Sequence, residues 1–287
     1  MSMAHRRGLN AAALVASAAI LLTGLVAQHS LASARPLSVR VGTASVTAAP
    51  ASVVSPPPRA VARVPARHAP RLVVLGDSVP AAARCACTGF GTLLARGAAQ
   101  ASGRDVLLTN AGTDGLTTSG LLAQLDTPGL AARLAQATVV TVTIGANDFD
   151  ESQAGRPECA ADGGLACYRS QLNALGGALD GVLARLRGLT SSSTRILVTG
   201  YWNVFLDGDV GARNGTDYVR TSDALTRAVN GVIAATARGR RVGYVDLYTP
   251  FKASGPRETV LLAPDGDHPS ATGHALIAAA LTRAVAF

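Results

Sequence analysis

Three side chains in the sequence have the types and spacing needed for nucleophilic attack on an acyl bond. Ser78 follows the apolar run Arg71–Leu75 and Gly76, so its hydroxyl is expected at the end of a buried strand. His268 lies in a polar segment before a final apolar stretch, three residues after Asp265. That spacing lets the carboxylate hold one imidazole nitrogen and leaves the other nitrogen to accept a proton from a hydroxyl.

The choice of histidine and carboxylate rests on position. Of the five histidines, only His268 and His274 follow residue 70. His274 falls inside the predicted last helix, where a packing or surface position is expected. Asp267 is the rival of Asp265 for orienting His268, but adjacent side chains diverge, so the sequence favours Asp265.

Two more polar segments follow predicted strands. The glycines of Asn110–Gly115 would let backbone N–H groups approach a ligand, and the amide of Asn147 could donate a hydrogen bond. Each segment alone is also compatible with an ordinary turn. The neighbouring carboxylates, Asp77 and Asp148, are expected to cap backbone N–H groups.

A regular scaffold must bring these segments together. Apolar runs predict strands at 71–75, 105–109, 138–144, 195–199 and 242–247, and helices are predicted at 88–101, 131–136, 168–187, 218–237 and 271–285. Alternating strands and helices predict an α/β fold with a parallel sheet covered on both faces. The polar segments follow the strands, and the carboxyl ends of the strands are where such sheets carry their sites.

The ordered set of segments resembles the SGNH, or GDSL-type, serine hydrolases. Gly76–Val79 resembles the first block of that family, with Val where Leu is usual, and Asn110–Gly115 resembles the second. Gly145–Asp148 resembles the third, and Asp265–His268 has the D-x-x-H form of the last, followed by Pro269. The resemblance implies a three-layer α/β/α sandwich, flavodoxin-like, with a five-stranded parallel sheet.

The resemblance also implies a role for each residue. Ser78 would be the nucleophile, His268 the general base and Asp265 the residue that orients it. The oxyanion would meet the backbone N–H groups of Ser78 and Gly115 and the side chain of Asn147. The expected activity is that of an esterase or lipase on a small ester, a lipid or an acylated sugar, with no cofactor and no metal. A carbohydrate O-acetylesterase is the alternative, and a non-catalytic binding module on the same fold is a further one.

The positive charge of the chain is confined to its N-terminal part. The 287 residues carry a net charge of +8, but residues 1–70 contain seven arginines and no acidic residue. The remainder holds 19 basic and 18 acidic residues, so nucleic acid is not an expected partner. A hydrophobic content of 48% excludes a disordered or fibrous protein.

The N-terminal sequence predicts export. Residues 1–34 have the basic start, apolar run and Ala32-Ser33-Ala34 site typical of a signal peptide, so a secreted protein is expected. An uncleaved anchor is the alternative, because the apolar run of residues 11–27 is only slightly shorter than the ~20 residues that span a bilayer. Residues 35–69, rich in Pro, Ala and Arg, predict a linker or propeptide. Residues 70–287 are then one hydrolase domain, expected to be monomeric and not inserted in a membrane.

The four cysteines of an exported chain predict disulfides rather than a zinc site, whose usual spacings differ. In one scheme Cys159 pairs with Cys167 and the other two are unassigned. In the other, which uses all four thiols and is preferred, Cys85 and Cys87 each bridge to one of the later pair, since the two lie too close to pair with each other.

Aromatic residues make up only 4% of the chain, so those after predicted strands attract notice. Phe149 and Trp202, the only tryptophan, are candidates for contact with the substrate. The alternative is that they pack beneath a loop. The insertion 150–167 could form part of the rim of the site.

Overall fold

The computed structural model describes residues 69–154, 156–159, 161–253 and 258–285. The predicted signal peptide, the linker up to residue 68 and the choice between cleavage and anchoring fall outside these residues. Among the described residues, no helix combines the length and apolar character needed to cross a bilayer.

Five parallel strands form one sheet in the order β2-β1-β3-β4-β5. The strands are β1 (Arg71–Gly76), β2 (Leu107–Gly112), β3 (Val139–Thr143), β4 (Arg195–Thr199) and β5 (Gly243–Val245). Gly76 at the end of β1 pairs with Gly112 of β2 on one side and Thr143 of β3 on the other. The strand order therefore reverses between β1 and β3, the position where open sheets of this type bind ligands.

Helices cover the sheet in two groups. The chain runs from β1 outward to β2 and then in the opposite direction through β3, β4 and β5. Because such crossovers are right-handed, the helices between β1 and β2 lie on one face of the sheet, and those between β2 and β5 lie on the other. The contacts agree, because α2 packs against α11 while α6 packs against α3 and α8. The helices are α1 (Ser78–Ala81), α2 (Phe90–Ser102), α3 (Thr118–Leu125), α4 (Pro128–Leu134), α5 (Ala161–Gly164), α6 (Arg169–Leu189), α7 (Gly208–Arg213), α8 (Thr216–Gly239), α9 (Tyr248–Lys252), α10 (Glu258–Leu261) and α11 (Ala271–Ala284).

The central strands β1 and β3 are buried on both faces. Leu72–Leu75 of β1 and all of Val139–Thr143 are buried, as expected for parallel strands between two helical layers. The two polar residues of β3 are threonines, and Thr143 Oγ1 lies 2.8 Å from Thr199 Oγ1 of β4. The core thus supports the strand ends that carry the polar segments.

Strand β2 differs most from its predicted bounds. The sequence predicted a strand at 105–109 followed by a loop, whereas β2 runs over Leu107–Gly112. Asn110 therefore lies in the strand, where its Nδ2 donates to the carbonyl of Pro80 at 2.7 Å and its Oδ1 accepts the N–H of Gly112. These contacts with the neighbouring turn extend the strand beyond its apolar residues.

Candidate active site

Ser78 begins a short helical turn directly after β1. The preceding residue, Asp77, caps this turn, because its Oδ1 accepts the backbone N–H of Val79 at 3.0 Å. Gly76 has φ +126°, and a Cβ there would lie 1.8 Å from the carbonyl oxygen of Thr143, so the tight exit from the strand requires glycine. The turn leaves Ser78 partly exposed at the carboxyl end of the sheet.

Asp77 is buried beneath this turn. Its Oδ2 accepts the hydroxyl of Tyr201, a buried residue that follows β4. Burial raises the pKa of Asp77 to about 7, although the hydrogen bonds from Tyr201 and Val79 act in the opposite direction. Burial, together with the charge of Asp77, also raises the pKa of Tyr201 well above its ordinary value. The prediction that Asp77 caps a backbone N–H group is confirmed.

His268 is oriented by Asp265. Nδ1 of His268 lies 2.9 Å from Asp265 Oδ2, and the backbone N–H of His268 donates to Asp265 Oδ1 at 3.0 Å. Partial burial raises the pKa of Asp265, but hydrogen bonds from the backbone N–H groups of His268 and Asp267 and from the imidazole outweigh it, so the pKa lies below its ordinary value. Asp267 Oδ2 is farther from the same imidazole nitrogen, at 3.3 Å.

The segment after β3 joins the segment after β2. Asn147 Nδ2 donates to the carbonyl of Leu116 at 3.0 Å, next to Gly115. Asp148 accepts both the N–H and the hydroxyl of Thr118, the first residue of α3, which confirms its predicted capping role. Helix α3 itself was not predicted, and these contacts with Asp148 help to define its start.

A cavity of about 280 Å³ lies at this edge of the sheet. Ser78, Asn147 and Asp267 line it, so it joins the predicted nucleophile, the predicted oxyanion donor and the residue adjacent to His268. Gly115 does not line it and lies in an exposed turn with φ +71°. The remaining lining residues are Asp77, Val79, Ala146, Phe149, Asp150, Val204 and Phe205.

The two aromatic candidates occupy different positions. Phe149 lines the cavity, with its ring centroid 6.0 Å from that of Phe205, which follows β4 and also lines it. Trp202 is 0% exposed, stacks on Phe251 with ring centroids 4.5 Å apart, and does not line the cavity. Its Nε1 donates to the carbonyl of Asp267 at 2.9 Å. The prediction of substrate contact is therefore wrong for Trp202, which packs under the His268 segment.

The disulfides are Cys85–Cys87 and Cys159–Cys167. The preferred cross-linked scheme is wrong, and the pairing of Cys159 with Cys167 is the one found. Arg84 has φ +59°, and the chain bends so that the Cα atoms of Cys85 and Cys87 lie 5.1 Å apart, which is within the range for a disulfide. Neither bond joins the segment after Ser78 to the insertion.

His274 is a packing residue. The sequence allowed either a packing or a surface position for it. It is fully buried in α11, and its Nδ1 accepts the N–H of Phe90 at 3.3 Å, at the start of α2. Burial lowers the pKa of His274 to about 4, with a smaller effect from His268. Its side chain also lies near the sulfurs of Cys85 and Cys87, which are bonded to each other.

Comparisons with known proteins identify the family and agree with the fold. Residues 74–276 match the GDSL-like lipase/acylhydrolase family, whereas no curated protein matches the chain. Similar solved structures include a lipase from a goat rumen metagenome (20% identity, 75% of this chain and 97% of that one, TM-score 0.58). Others are phospholipase A1 from Streptomyces albidoflavus (21%, 76% and 100%, 0.55) and an acetylxylan esterase from Geobacillus stearothermophilus (21%, 76% and 94%, 0.53). The predicted family and fold are confirmed: the chain belongs to the GDSL-like lipase/acylhydrolase family and is a carboxylic ester hydrolase.

Proposed function

We propose that the chain hydrolyses esters through an acyl-enzyme formed on Ser78. His268 takes the proton of the Ser78 hydroxyl and returns it to the leaving alcohol, while Asp265 holds the imidazole through Nδ1. Water then cleaves the acyl-enzyme with His268 as the base. The observation that carries this proposal is the 2.9 Å contact between His268 and Asp265, in a segment whose Asp267 lines the same cavity as Ser78.

The oxyanion of each tetrahedral intermediate would be stabilised from three segments. The backbone N–H groups of Ser78 and Gly115 and the side-chain amide of Asn147 are the proposed donors. The bond from Asn147 to the Leu116 carbonyl uses one of the two amide hydrogens, which leaves the second for the substrate. The same bond ties Asn147 to the turn that contains Gly115.

The favoured substrate is a water-soluble ester with a short acyl chain. A cavity of about 280 Å³ is at the small end of ligand sites, which typically span ~300–1,000 Å³. Among the described residues, only Leu107 and Val260 are large hydrophobic side chains that are exposed, and Leu107 begins β2 at the edge opposite the cavity. Neither residue lines the cavity, and two such side chains do not form the contiguous apolar surface on which a protein docks to a lipid layer.

Removal of acetyl groups from a polysaccharide is the second candidate. Asp150 and Asp267 line the cavity, and a carboxylate can accept hydrogen bonds from the hydroxyl groups of a sugar. The acetylxylan esterase with the same fold shows that this scaffold accommodates such an activity.

Export of the chain is also proposed, supported by the N-terminal sequence and by two disulfides.

Exported, purified protein tests the chemistry and the localisation together. The N-terminus of the purified protein should be the residue after Ala34. The protein should hydrolyse p-nitrophenyl acetate and butyrate faster than p-nitrophenyl palmitate, and a fluorophosphonate probe should label it. Ser78→Ala should abolish turnover and labelling, whereas Ser193→Ala, which changes an exposed serine far along the chain, should retain both. Full turnover by Ser78→Ala would exclude the mechanism, and faster cleavage of the palmitate would exclude the short-chain assignment.

Acetylated xylo-oligosaccharides separate the two candidate substrates. If the second candidate is correct, their kcat/KM should exceed that of p-nitrophenyl acetate, because the carboxylates would bind the sugar. Equal or lower values would favour a general short-chain esterase.

A further inference from the structure

The hydroxyl of Tyr201 connects two segments of the site. It donates to Asp77 Oδ2, and its oxygen accepts the backbone N–H of Ala146 at 3.4 Å. Asp77 caps the Ser78 turn through Val79, and Ala146 directly precedes Asn147. A continuous set of hydrogen bonds therefore runs from the turn with Ser78, through one buried phenol, to the turn with Asn147.

Tyr201 is itself fixed by a residue of α8. Asn230 Oδ1 accepts the backbone N–H of Tyr201 at 2.8 Å, and Asn230 Nδ2 donates to the Tyr201 carbonyl at 2.8 Å. The side chain of Asn230 packs closely against this part of the backbone, since a Cβ on the preceding residue, Gly200, would lie 2.8 Å from Asn230 Oδ1. Because Tyr201 is 0% exposed and held at both backbone groups, its hydroxyl has a defined position relative to the sheet.

We propose that Tyr201 is a positioning residue that sets the separation between the Ser78 turn and the Asn147 turn, and so the convergence of the oxyanion donors. This inference rests on the proposed function of Ser78 and Asn147. Preorganised donors act through their placement, and small displacements of a catalytic group lower the rate of the chemical step. Tyr201 touches neither the cavity nor the reacting atoms and acts through Asp77 and Ala146.

The arrangement requires ionised Asp77. A carboxylate accepts from Val79 and Tyr201 at once, whereas protonation of either oxygen removes one of these acceptors. Tyr201 favours the ionised form by donating to it, while burial and the charge of Asp114 oppose it. The charge of Asp148 in turn acts on Tyr201. Loss of the Tyr201 hydroxyl should therefore leave less Asp77 ionised near neutral pH.

Tyr201→Phe is the direct test, with kinetics measured on p-nitrophenyl acetate between pH 6 and pH 9. We expect kcat to fall by about 10- to 100-fold at pH 7 with KM changed by less than about threefold, because placement of the donors is lost and the cavity is kept. The loss should be at least about fivefold greater at pH 6 than at pH 9, since fewer Asp77 carboxyls are ionised at the lower pH.

Tyr248→Phe is the matched control. Its hydroxyl also donates to a carboxylate, Asp223 Oδ1 at 2.7 Å, but neither residue lines the cavity. Its kinetics should stay within about twofold of the wild type. A folded Tyr201→Phe protein with wild-type kcat, or with a loss that is the same at pH 6 and pH 9, would overturn the proposal.

Two additional measurements keep the test decisive. If Tyr201→Phe does not fold by circular dichroism, Asn230→Ala should lower kcat in the same way, and unchanged kcat there overturns the inference. Fluorophosphonate labelling separates this inference from the proposed function. If the wild type is not labelled at Ser78, the proposed function fails, whereas equal labelling rates for the wild type and folded Tyr201→Phe contradict the role of Tyr201 alone.

Discussion

Asp265 contacts His268 through both of its carboxylate oxygens: Oδ2 lies 2.9 Å from the imidazole Nδ1, and Oδ1 accepts the backbone N–H at 3.0 Å. The carboxylate thus fixes the ring and the chain that carries it. Asp267 reaches the same nitrogen only at 3.3 Å. These distances favour Asp265 over Asp267 for the proposed orienting role.

Asp265→Asn should lower kcat by about 10³- to 10⁴-fold, because an amide at this position favours the wrong imidazole tautomer. Asp267→Asn is the matched change and should cost about tenfold or less, since Asp265 would remain in place. Both are measured as kcat for p-nitrophenyl acetate at pH 8. A larger loss in Asp267→Asn would reverse the assignment.

Asp77 should make the stability of the protein depend on pH. Its pKa is about 7 in the folded protein against an ordinary value of 3.8, so between these values the folded state holds a proton that the unfolded state has released. The resulting stabilisation is present near pH 4 and is lost as the pH rises through 7. In Asp77→Asn, the change in free energy of unfolding between pH 4.5 and pH 8 should be smaller by up to about 3 kcal/mol. Urea denaturation at the two pH values measures it, and an unchanged difference would contradict the buried-carboxyl interpretation.

Trp202 should contribute to stability and not to substrate binding. Trp202→Phe removes the hydrogen bond to the Asp267 carbonyl and part of the stacking on Phe251, so the free energy of unfolding should fall by about 1–3 kcal/mol. KM for p-nitrophenyl butyrate should stay within about twofold, whereas Phe149→Ala should raise it. A rise of KM in Trp202→Phe without a loss of stability would instead support contact of Trp202 with the substrate.

The strands that the sequence predicts well are those whose side chains alone determine them. β4 has the predicted bounds, and β3 is a β-branched run buried on both faces. β2 does not have its predicted bounds, because its last residues contact the neighbouring turn. Asn110 donates to the Pro80 carbonyl, and Gly112 lies close to α1. Such contacts depend on a neighbouring turn that residue types cannot reveal.

The same distinction applies to the residues of the candidate site. The order and spacing of Ser78, Asp265 and His268 can be recognised in the sequence, because the proposed chemistry requires a serine, a carboxylate and a histidine. The role of Tyr201 cannot, since an aromatic residue after a strand is equally consistent with packing. The Cys85–Cys87 pairing was missed because it depends on a local bend of the chain.

The two disulfides should differ in their contribution to stability. The Cys159–Cys167 bond closes the longer loop, so replacing both cysteines by serine should lower the free energy of unfolding by about 2–3 kcal/mol in the chain-entropy account. The same change at Cys85 and Cys87 should cost about 1–2 kcal/mol. Urea denaturation of the two double variants compares them. A non-reducing peptide map with bonds between the two pairs would contradict the structure.

Asn147 and Asp148 are adjacent but should respond differently to substitution. Asn147→Ala removes a proposed oxyanion donor and should lower kcat by about 10²- to 10³-fold, with little change in KM, because the donor acts mainly in the transition state. Asp148→Asn keeps an acceptor for Thr118 and should lower kcat by about tenfold or less while reducing the melting temperature, since its role is to cap α3. Kinetics and thermal denaturation on both variants separate the roles. Equal kcat losses in the two would show that Asn147 acts only by joining the segments and does not donate to the oxyanion.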